Sequence, residues 1–167
     1  INNGVKKANG ELFFIVDSDD FLREDAIASI KTYWDKKTID CQGLCFRRQD
    51  YETGKVFGDS FPQKEFYASY AKIQFGFDFS IDKAEVFRTD ILKLFPFPEI
   101  VGENFCTEAV VWLPMSRYKI NKLYCVYLPI YQSKYLEDGL TNNGNKIKEK
   151  NPKGYKLFYK QLLKTKY

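Results

Sequence analysis

A run of five apolar residues followed at once by acids most constrains the fold of this sequence. Residues 12–16 read LFFIV, and residues 17–20 read DSDD. A continuous apolar run of this length predicts a strand that is buried on both faces, as in a parallel sheet covered by helices. Open α/β sheets bind their ligands beyond the carboxyl ends of the strands. The run therefore predicts an α/β fold with these acids at the ligand-binding edge of its sheet.

Three acids in four positions repel one another unless something offsets their charge. Asp17, Asp19 and Asp20 supply closely spaced oxygen ligands, which suit Mg²⁺ or Mn²⁺ bridging carboxylates to the phosphates of a substrate. The pattern indicates either a metal site or an acidic turn that caps the following helix. An EF-hand loop is excluded, because Leu22 and Ala28 stand where its sixth-position Gly and twelfth-position Glu are needed.

The absence of histidine narrows the chemistry further. With no histidine among 167 residues, His-based triads and zinc sites are excluded, and a general base at neutral pH should be a carboxylate. Four cysteines without a CxxC pair predict buried free thiols in a reducing compartment. A net charge of +4 suits a polyanionic ligand or an anionic membrane without requiring either. The sequence predicts neither a transmembrane helix nor a signal peptide.

The remaining patterns predict one mixed α/β unit. We expect helices ending at Gly10 and spanning about 23–34, 62–73, 107–118 and 154–167, with Pro114 kinking the helix over 107–118. We expect extended segments and turns as follows: a hairpin over 41–59 turning at 52–54, an extended stretch over 77–87, a loop over 95–103, and strands over 123–135 interrupted by Pro129.

Several motifs together resemble family 2 glycosyltransferases of the bacterial type, which have the GT-A fold. NGVKKANGELFFIVDSDDFL (3–22) is similar to the family's helix end, strand and DSDD segment. DKAEVFRTDILKLFPFPEIVGENFCTEAVVW (82–112) is similar to its acceptor-side region, and IYQSKYLEDGLTNN (130–143) to the segment that closes the site. The resemblance implies a partial GT-A domain over 1–145, a Rossmann-like mixed sheet flanked by helices, followed by a basic helix over 146–167. It also implies that the first nucleotide-binding strands are missing, so we expect the chain alone to be inactive.

The resemblance implies an inverting, metal-dependent glycosyltransferase. Its donor would be a nucleotide-diphosphate sugar, with a UDP-sugar expected, and its acceptor a glycan or lipid-linked hydroxyl. The reaction would serve cell-surface polysaccharide synthesis in the cytoplasm, at the inner face of the membrane. By motif position, Asp17 and Asp19 form the DxD pair that holds Mn²⁺ or Mg²⁺ and the nucleotide, and Asp20 supports them.

The general base is expected on the acceptor side. Many members carry Glu-Asp at the start of the acceptor-side helix, whereas this chain has Glu108-Ala109, so Glu108 is the first candidate and Glu103 the second. Glu108 could instead stabilise the N-terminus of the helix. Trp112 lies one turn after Glu108 and could pack against a sugar ring. Further residues match segments near the acceptor: Asp82, Lys83 and Asp138.

Other functions remain open at this level. Ala109 stands where many members of the family have Asp. Its presence is consistent with a non-catalytic module that binds a nucleotide sugar or a polyanion. A phosphatase with a DxD nucleophile would need Thr or Val where Phe21 stands. No nucleic-acid partner is expected. The basic C-terminal helix has either a solvated face or a contact with an anionic membrane.

Overall fold

The chain forms a mixed sheet flanked by helices in the computed structural model, which describes residues 1–58, 61–77, 83–134 and 144–166. Six strands make one sheet: β1 (Leu12–Phe14), β2 (Phe21–Leu22), β3 (Gly43–Asp50), β4 (Glu65–Ala68), β5 (Lys83–Arg88) and β6 (Leu123–Ser133). The helices are α1 (Asn2–Lys7), α2 (Ala26–Lys36), α3 (Thr89–Leu92), α4 (Ala109–Met115), α5 (Gly144–Lys150) and α6 (Pro152–Leu163), and a short π-helix spans Lys72–Gly76. The predicted α/β class is therefore confirmed.

The sheet follows the order β1-β5-β3-β6-β2. Strands β3 and β6 run parallel at its centre, and the other pairings are antiparallel. Strand β6 is long enough to pair with β4 along its first half and with β2 along its second half. Because β6 joins three partners, it is the element that brings the acidic turn and the rest of the sheet together.

Two hydrophobic clusters cover the two faces of the sheet. Residues alternate along β3, so Leu44 packs in the cluster under α2 while Cys45 packs in the cluster under α4. All four cysteines carry free thiols; three are buried and Cys106 is half-buried. No helix among the described residues combines the length and the apolar character that crossing a bilayer requires.

The apolar run 12–16 meets the core on both faces, as predicted, but it is less buried than predicted and pairs differently. Leu12 and Phe14 contact one hydrophobic cluster, and Phe13 and Ile15 contact the other, so both faces of the run meet the core. The prediction of a parallel, fully buried strand is wrong: β1 is three residues long, antiparallel to β5 and half-buried at the end of the sheet path. An apolar run indicates that both faces of a strand contact the core, but it does not determine which strand pairs with it.

The predicted helix over 62–73 is wrong in its first part. Residues 65–68 form β4 instead, and helical turns begin only at about residue 70. Pairing with β6 stacks the ring of Tyr67 on that of Tyr124 at 4.7 Å between centroids. This cross-strand contact is made between residues far apart in the chain, and it overrides the local helical pattern.

Other boundaries differ by a few residues. Helix α1 ends at Lys7 with Ala8 extended, so Gly10 does not cap it. Strand β6 continues through Pro129, because its register against β3 shifts at Arg47, the partner of Pro129, and such an irregularity tolerates a residue without an N–H. Helix α4 ends directly after Pro114. The turn after β3 is formed, with the Asp50 carboxylate accepting a hydrogen bond from the Thr53 amide at 2.7 Å.

Candidate functional site

The acidic turn that follows β1 is held by a tyrosine from the centre of the sheet. The amide of Asp17 donates a hydrogen bond to the hydroxyl of Tyr131 at 3.0 Å. The same hydroxyl donates to Asp17 Oδ2 at 3.4 Å. The turn closes through a hydrogen bond from the Asp20 amide to the Asp17 carbonyl at 3.2 Å. Tyr131 is fully buried in β6, so the position of Asp17 is set by the interior of the sheet.

Arg48 completes the support beneath the turn. It is the register partner of Tyr131 across the β3–β6 pairing, and its guanidinium lies 4.0 Å from the centre of the Tyr131 ring. Its Nη1 is 3.7 Å from Asp20 Oδ2, and its Nε donates to the Lys83 carbonyl at 2.9 Å. Burial raises the pKa of the Asp20 carboxyl above its ordinary value, although Tyr131 and Arg48 pull in the opposite direction. Asp20 therefore faces inward as a support, while Asp17 and Asp19 are exposed.

The donors of the turn fit a metal that is shared with a substrate. Asp19 makes no hydrogen bond or ion pair with the residues that the structure describes. The charges of Asp17 and Asp19 both act to raise the pKa of Asp20, which burial raises most. Across the described ranges, no three His, Cys, Asp or Glu side chains converge as a metal-binding group. Since Mg²⁺ is commonly bound by one or two carboxylates plus substrate phosphates and water, Asp17 and Asp19 suit that mode of binding.

A cavity of about 260 Å³ lies beside the turn. It brings together four residues that the sequence singled out in distant segments: Asp17, Lys83, Glu108 and Trp112. The rest of its lining includes residues from four other parts of the fold: Arg48 of β3, Glu85 of β5, Tyr70, Gln74 and Phe75 around the π-helix, and Phe158 of α6. The cavity thus combines charged side chains with aromatic walls.

Glu108 stands at the N-terminus of α4. Its backbone carbonyl accepts hydrogen bonds from the amides of Val111 and Trp112, which starts the helix. Its side chain is exposed and makes no capping hydrogen bond to α4. The carboxylate therefore makes no capping hydrogen bond, although its charge lies at the helix end that favours an acid.

Trp112 serves chiefly as a core residue with one edge at the cavity. Only 5% of its surface is exposed. Its ring lies 4.3 Å from that of Phe87 and 5.4 Å from that of Phe97, between centroids. Such packing holds the start of α4, and with it Glu108, against the sheet.

Glu103 is engaged elsewhere. Its two carboxylate oxygens accept hydrogen bonds from the amides of Lys153 and Gly154, each at 2.7 Å, and so they cap the N-terminus of α6. Glu103 does not line the cavity. Its effect on the cavity is indirect, because the helix that it anchors carries Phe158.

Of the three other residues expected near the acceptor, the structure describes only Lys83. Lys83 is almost fully buried, lines the cavity, and donates a hydrogen bond to Gln74 Oε1 at 3.0 Å. Asp82 and Asp138 lie outside the described residues. Sequence reasoning missed Arg48, Glu85 and Tyr131. The available signal was a set of polar residues within otherwise apolar strands, such as Lys83 and Glu85 at i and i+2 on one face of β5.

Comparison of the sequence with models of protein families and with curated proteins gives no match. The resemblance to family 2 glycosyltransferases therefore stays an interpretation of the motifs, and the site must be judged by its own geometry.

Proposed function

We propose that this protein is an inverting, metal-dependent glycosyltransferase. It would move a sugar from a nucleotide-diphosphate donor, a UDP-sugar in our proposal, to a hydroxyl of a glycan or lipid-linked acceptor in cell-surface polysaccharide synthesis. One observation carries the proposal: Asp17 and Glu108, separated by 91 positions in the sequence, line the same aromatic-walled cavity. A carboxylate at a donor motif and a second carboxylate facing the same space are the two acidic groups that this reaction needs.

The proposed division of labour follows from the surroundings of each carboxylate. Asp17 and Asp19, exposed on the turn, would hold Mn²⁺ or Mg²⁺, while Asp20 and Arg48 keep the turn in position. The bound metal would neutralise the charge of the departing diphosphate. Glu108 would accept the proton of the attacking hydroxyl, since no histidine is available in the chain.

The aromatic residues of the cavity support a carbohydrate ligand. Tyr70, Phe75 and Phe158 give the cavity apolar walls beside polar groups, and sugar rings present apolar faces together with hydroxyls. A cytoplasmic location is part of the proposal and is supported by the four free thiols, which suit a reducing compartment.

A donor-hydrolysis assay tests the proposed metal-binding role of Asp17 and Asp19. The full-length protein is mixed with a set of nucleotide sugars and Mn²⁺, and release of the nucleotide diphosphate is followed. We expect slow, metal-dependent hydrolysis that Asp19→Ala abolishes. Asp35→Ala, a change at an exposed aspartate of α2, is the matched control and should leave the rate unchanged. Release that Asp19→Ala does not alter would refute the metal assignment.

The same variants separate the competing functions. A non-catalytic nucleotide-sugar or polyanion-binding module would bind the donor without hydrolysis or transfer. A phosphatase would release inorganic phosphate from simple phosphoesters. Glu108→Gln should retain nucleotide binding and lose transfer, with Glu24→Gln as the control at an exposed glutamate. Loss of both binding and transfer in Glu108→Gln would assign Glu108 a structural role.

A further inference from the structure

The C-terminal helices concentrate the positive charge of the chain. Residues 144–166 contain eight of the 26 basic residues and only one of the 22 acidic residues, Glu149. The rest of the chain therefore has 18 basic and 21 acidic residues, a net charge of −3. The excess charge of the chain belongs to one short segment and is not spread over the surface.

Helix α6 has two chemically different faces. Its inward face packs Phe158 and Leu162 against the cluster under α4. Its outward face is exposed and is defined here as the lysine face, which comprises Lys153, Lys156, Lys160 and Lys164 together with Tyr159 and Leu163. Tyr159 and Leu163 lie one turn apart, and 49% and 89% of their surfaces are exposed. The lysine face therefore combines positive charge with protruding apolar side chains.

Among the described residues, no acidic side chain is paired with the lysines of this face. None of its lysines forms an ion pair with any residue in the described part of the chain. Lys153 donates a hydrogen bond to the carbonyl of Val101 at 3.2 Å, which leaves its charge in place. Lys156, Lys160 and Lys164 follow one another at i, i+4 and i+8, so like charges are aligned along the helix.

We propose that the lysine face docks onto the surface of an anionic phospholipid membrane. Lysines attract the negative headgroups, and Leu163 and Tyr159 enter the boundary between headgroups and acyl chains, as in helices that lie in a membrane interface. A soluble polyanion such as RNA would use the lysines but would gain nothing from Leu163. The apolar residues among the charges therefore favour a membrane over a nucleic acid.

The position of the cavity extends this inference, in a step that rests on the proposed function. Phe158 projects from the opposite face of α6 and lines the cavity. A membrane bound along the lysine face would lie one helix diameter from the cavity wall. This arrangement suits an acceptor hydroxyl carried on a membrane lipid.

Vesicle sedimentation tests the docking surface. The chain is mixed with vesicles of phosphatidylcholine alone or of phosphatidylcholine with phosphatidylglycerol. We expect binding to the anionic vesicles only, weakened at high salt. Neutralising Lys156, Lys160 and Lys164 together to Gln should weaken binding about 100-fold, and Leu163→Ser about 10-fold. The matched control changes Lys6, Lys7 and Lys55 to Gln, which removes the same charge from exposed sites elsewhere.

Three results would overturn the proposal. One is equal binding to neutral and anionic vesicles, and another is equal loss in the control variant. The third is binding that depends on the lysines but not on Leu163 and Tyr159, because this would identify a surface for soluble polyanions. Circular dichroism of each variant checks that α6 remains folded, and a Leu163→Met variant should bind as the parent does.

Docking and transfer are measured independently. Vesicle binding requires neither metal nor donor, so Asp19→Ala should bind anionic vesicles like the parent chain. Loss of transfer with intact docking would count against the proposed function alone. Intact transfer to a soluble acceptor without vesicle binding would count against the docking surface alone.

Discussion

At the scale of single residues, Tyr131 connects the acidic turn to the core. Its hydroxyl bonds to the amide and the carboxylate of Asp17, and its ring supports Arg48. Burial raises the pKa of the Tyr131 hydroxyl far above its ordinary value, so this group stays protonated and keeps its hydrogen available across the physiological range.

Replacing Tyr131 by Phe should therefore loosen the turn while keeping the ring that supports Arg48. We expect a loss of about 1 to 2 kcal/mol in the free energy of unfolding, measured in urea, because both half-buried hydrogen bonds between the hydroxyl and Asp17 are removed. Mn²⁺-dependent nucleotide binding, measured by calorimetry, should weaken about 3- to 10-fold. Tyr127→Phe is the control, since the Tyr127 hydroxyl has no hydrogen-bond partner among the described residues. Equal effects of the two variants would contradict this role of Tyr131.

Gly43 is a second position where one residue is critical, because it allows the backbones of β3 and β5 to approach closely. A Cβ atom placed there would lie 2.0 Å from the carbonyl oxygen of Val86 and 2.9 Å from the Cα of Phe87, both in the backbone of β5. Gly43→Ala should therefore push β3 from β5 and cost more than about 3 kcal/mol in urea unfolding. Gly10→Ala is the matched change, because the nearest atom to its Cβ is 3.4 Å away. Stability of Gly43→Ala close to that of the parent would show that the strands separate without cost.

At the scale of elements, Glu65 joins α2, β4 and β6. Its carboxylate accepts hydrogen bonds from Lys36 Nζ at 2.7 Å and from the hydroxyl of Tyr124. The Lys36 hydrogen bond, followed by that of Tyr124, lowers the pKa of Glu65 below its ordinary value of 4.5. A carboxyl with a lowered pKa in the folded state stabilises the protein above its unfolded pKa, and this contribution is lost as pH falls through the folded pKa.

Glu65→Gln should consequently reduce stability at pH 7 and have little effect well below pH 4.5. The reduction should be small, because the Lys36 side chain is exposed and solvent screens the pair. Urea unfolding of both proteins at neutral and acidic pH measures the difference. A difference that stayed constant with pH would indicate that packing, and not the charge of Glu65, accounts for the effect.

The two candidate bases can be distinguished by the helices that they contact. Glu103 caps α6, whereas the side chain of Glu108 caps nothing on α4. Glu103→Gln should cost about 1 kcal/mol and speed hydrogen exchange of the first amides of α6, because the side-chain NH₂ that replaces one carboxylate oxygen cannot accept the second of these two bonds. Glu108→Gln should leave exchange in α6 unchanged. Faster exchange in α6 in Glu108→Gln, but not in Glu103→Gln, would show that Glu108 and not Glu103 caps this helix.

These elements also show what a sequence can predict. The motifs identified Asp17 and Glu108, which the fold brings to one cavity. They could not identify Arg48 and Tyr131, because these two meet only through the register of parallel strands 83 positions apart. The strand at 65–68 was missed for a similar reason, since its stacking of Tyr67 on Tyr124 is set by long-range pairing. Local sequence patterns thus predicted most of the secondary-structure segments and several of the candidate site residues. Which segments lie next to one another depends on pairing between distant parts of the chain, which local patterns do not show.

At the scale of the whole molecule, one sheet separates two hydrophobic clusters, and each contains one of the two tryptophans. Trp34 lies in the cluster under α2, and Trp112 in the cluster under α4. Because adjacent residues of β3 belong to different clusters, loss of one cluster should remove the support of the other.

In the single-tryptophan variants Trp34→Phe and Trp112→Phe, a common second substitution should shift the urea midpoint by the same amount. Leu44→Ala, at a fully buried position, should lower stability by about 2 to 5 kcal/mol and shift both fluorescence transitions together. A shift confined to Trp112→Phe, the variant that retains Trp34 in the same cluster as Leu44, would mean that the clusters unfold independently.

Helix α6 is fastened at both ends: Glu103 holds its first amides, and Arg117 bonds to Gln161 and Thr165 near its last turn. Phe158 lies between these attachments and lines the cavity. Substitutions there would change the depth of the cavity while leaving its frame in place, so under the proposed function the size of the accepted substrate would be set at this one position.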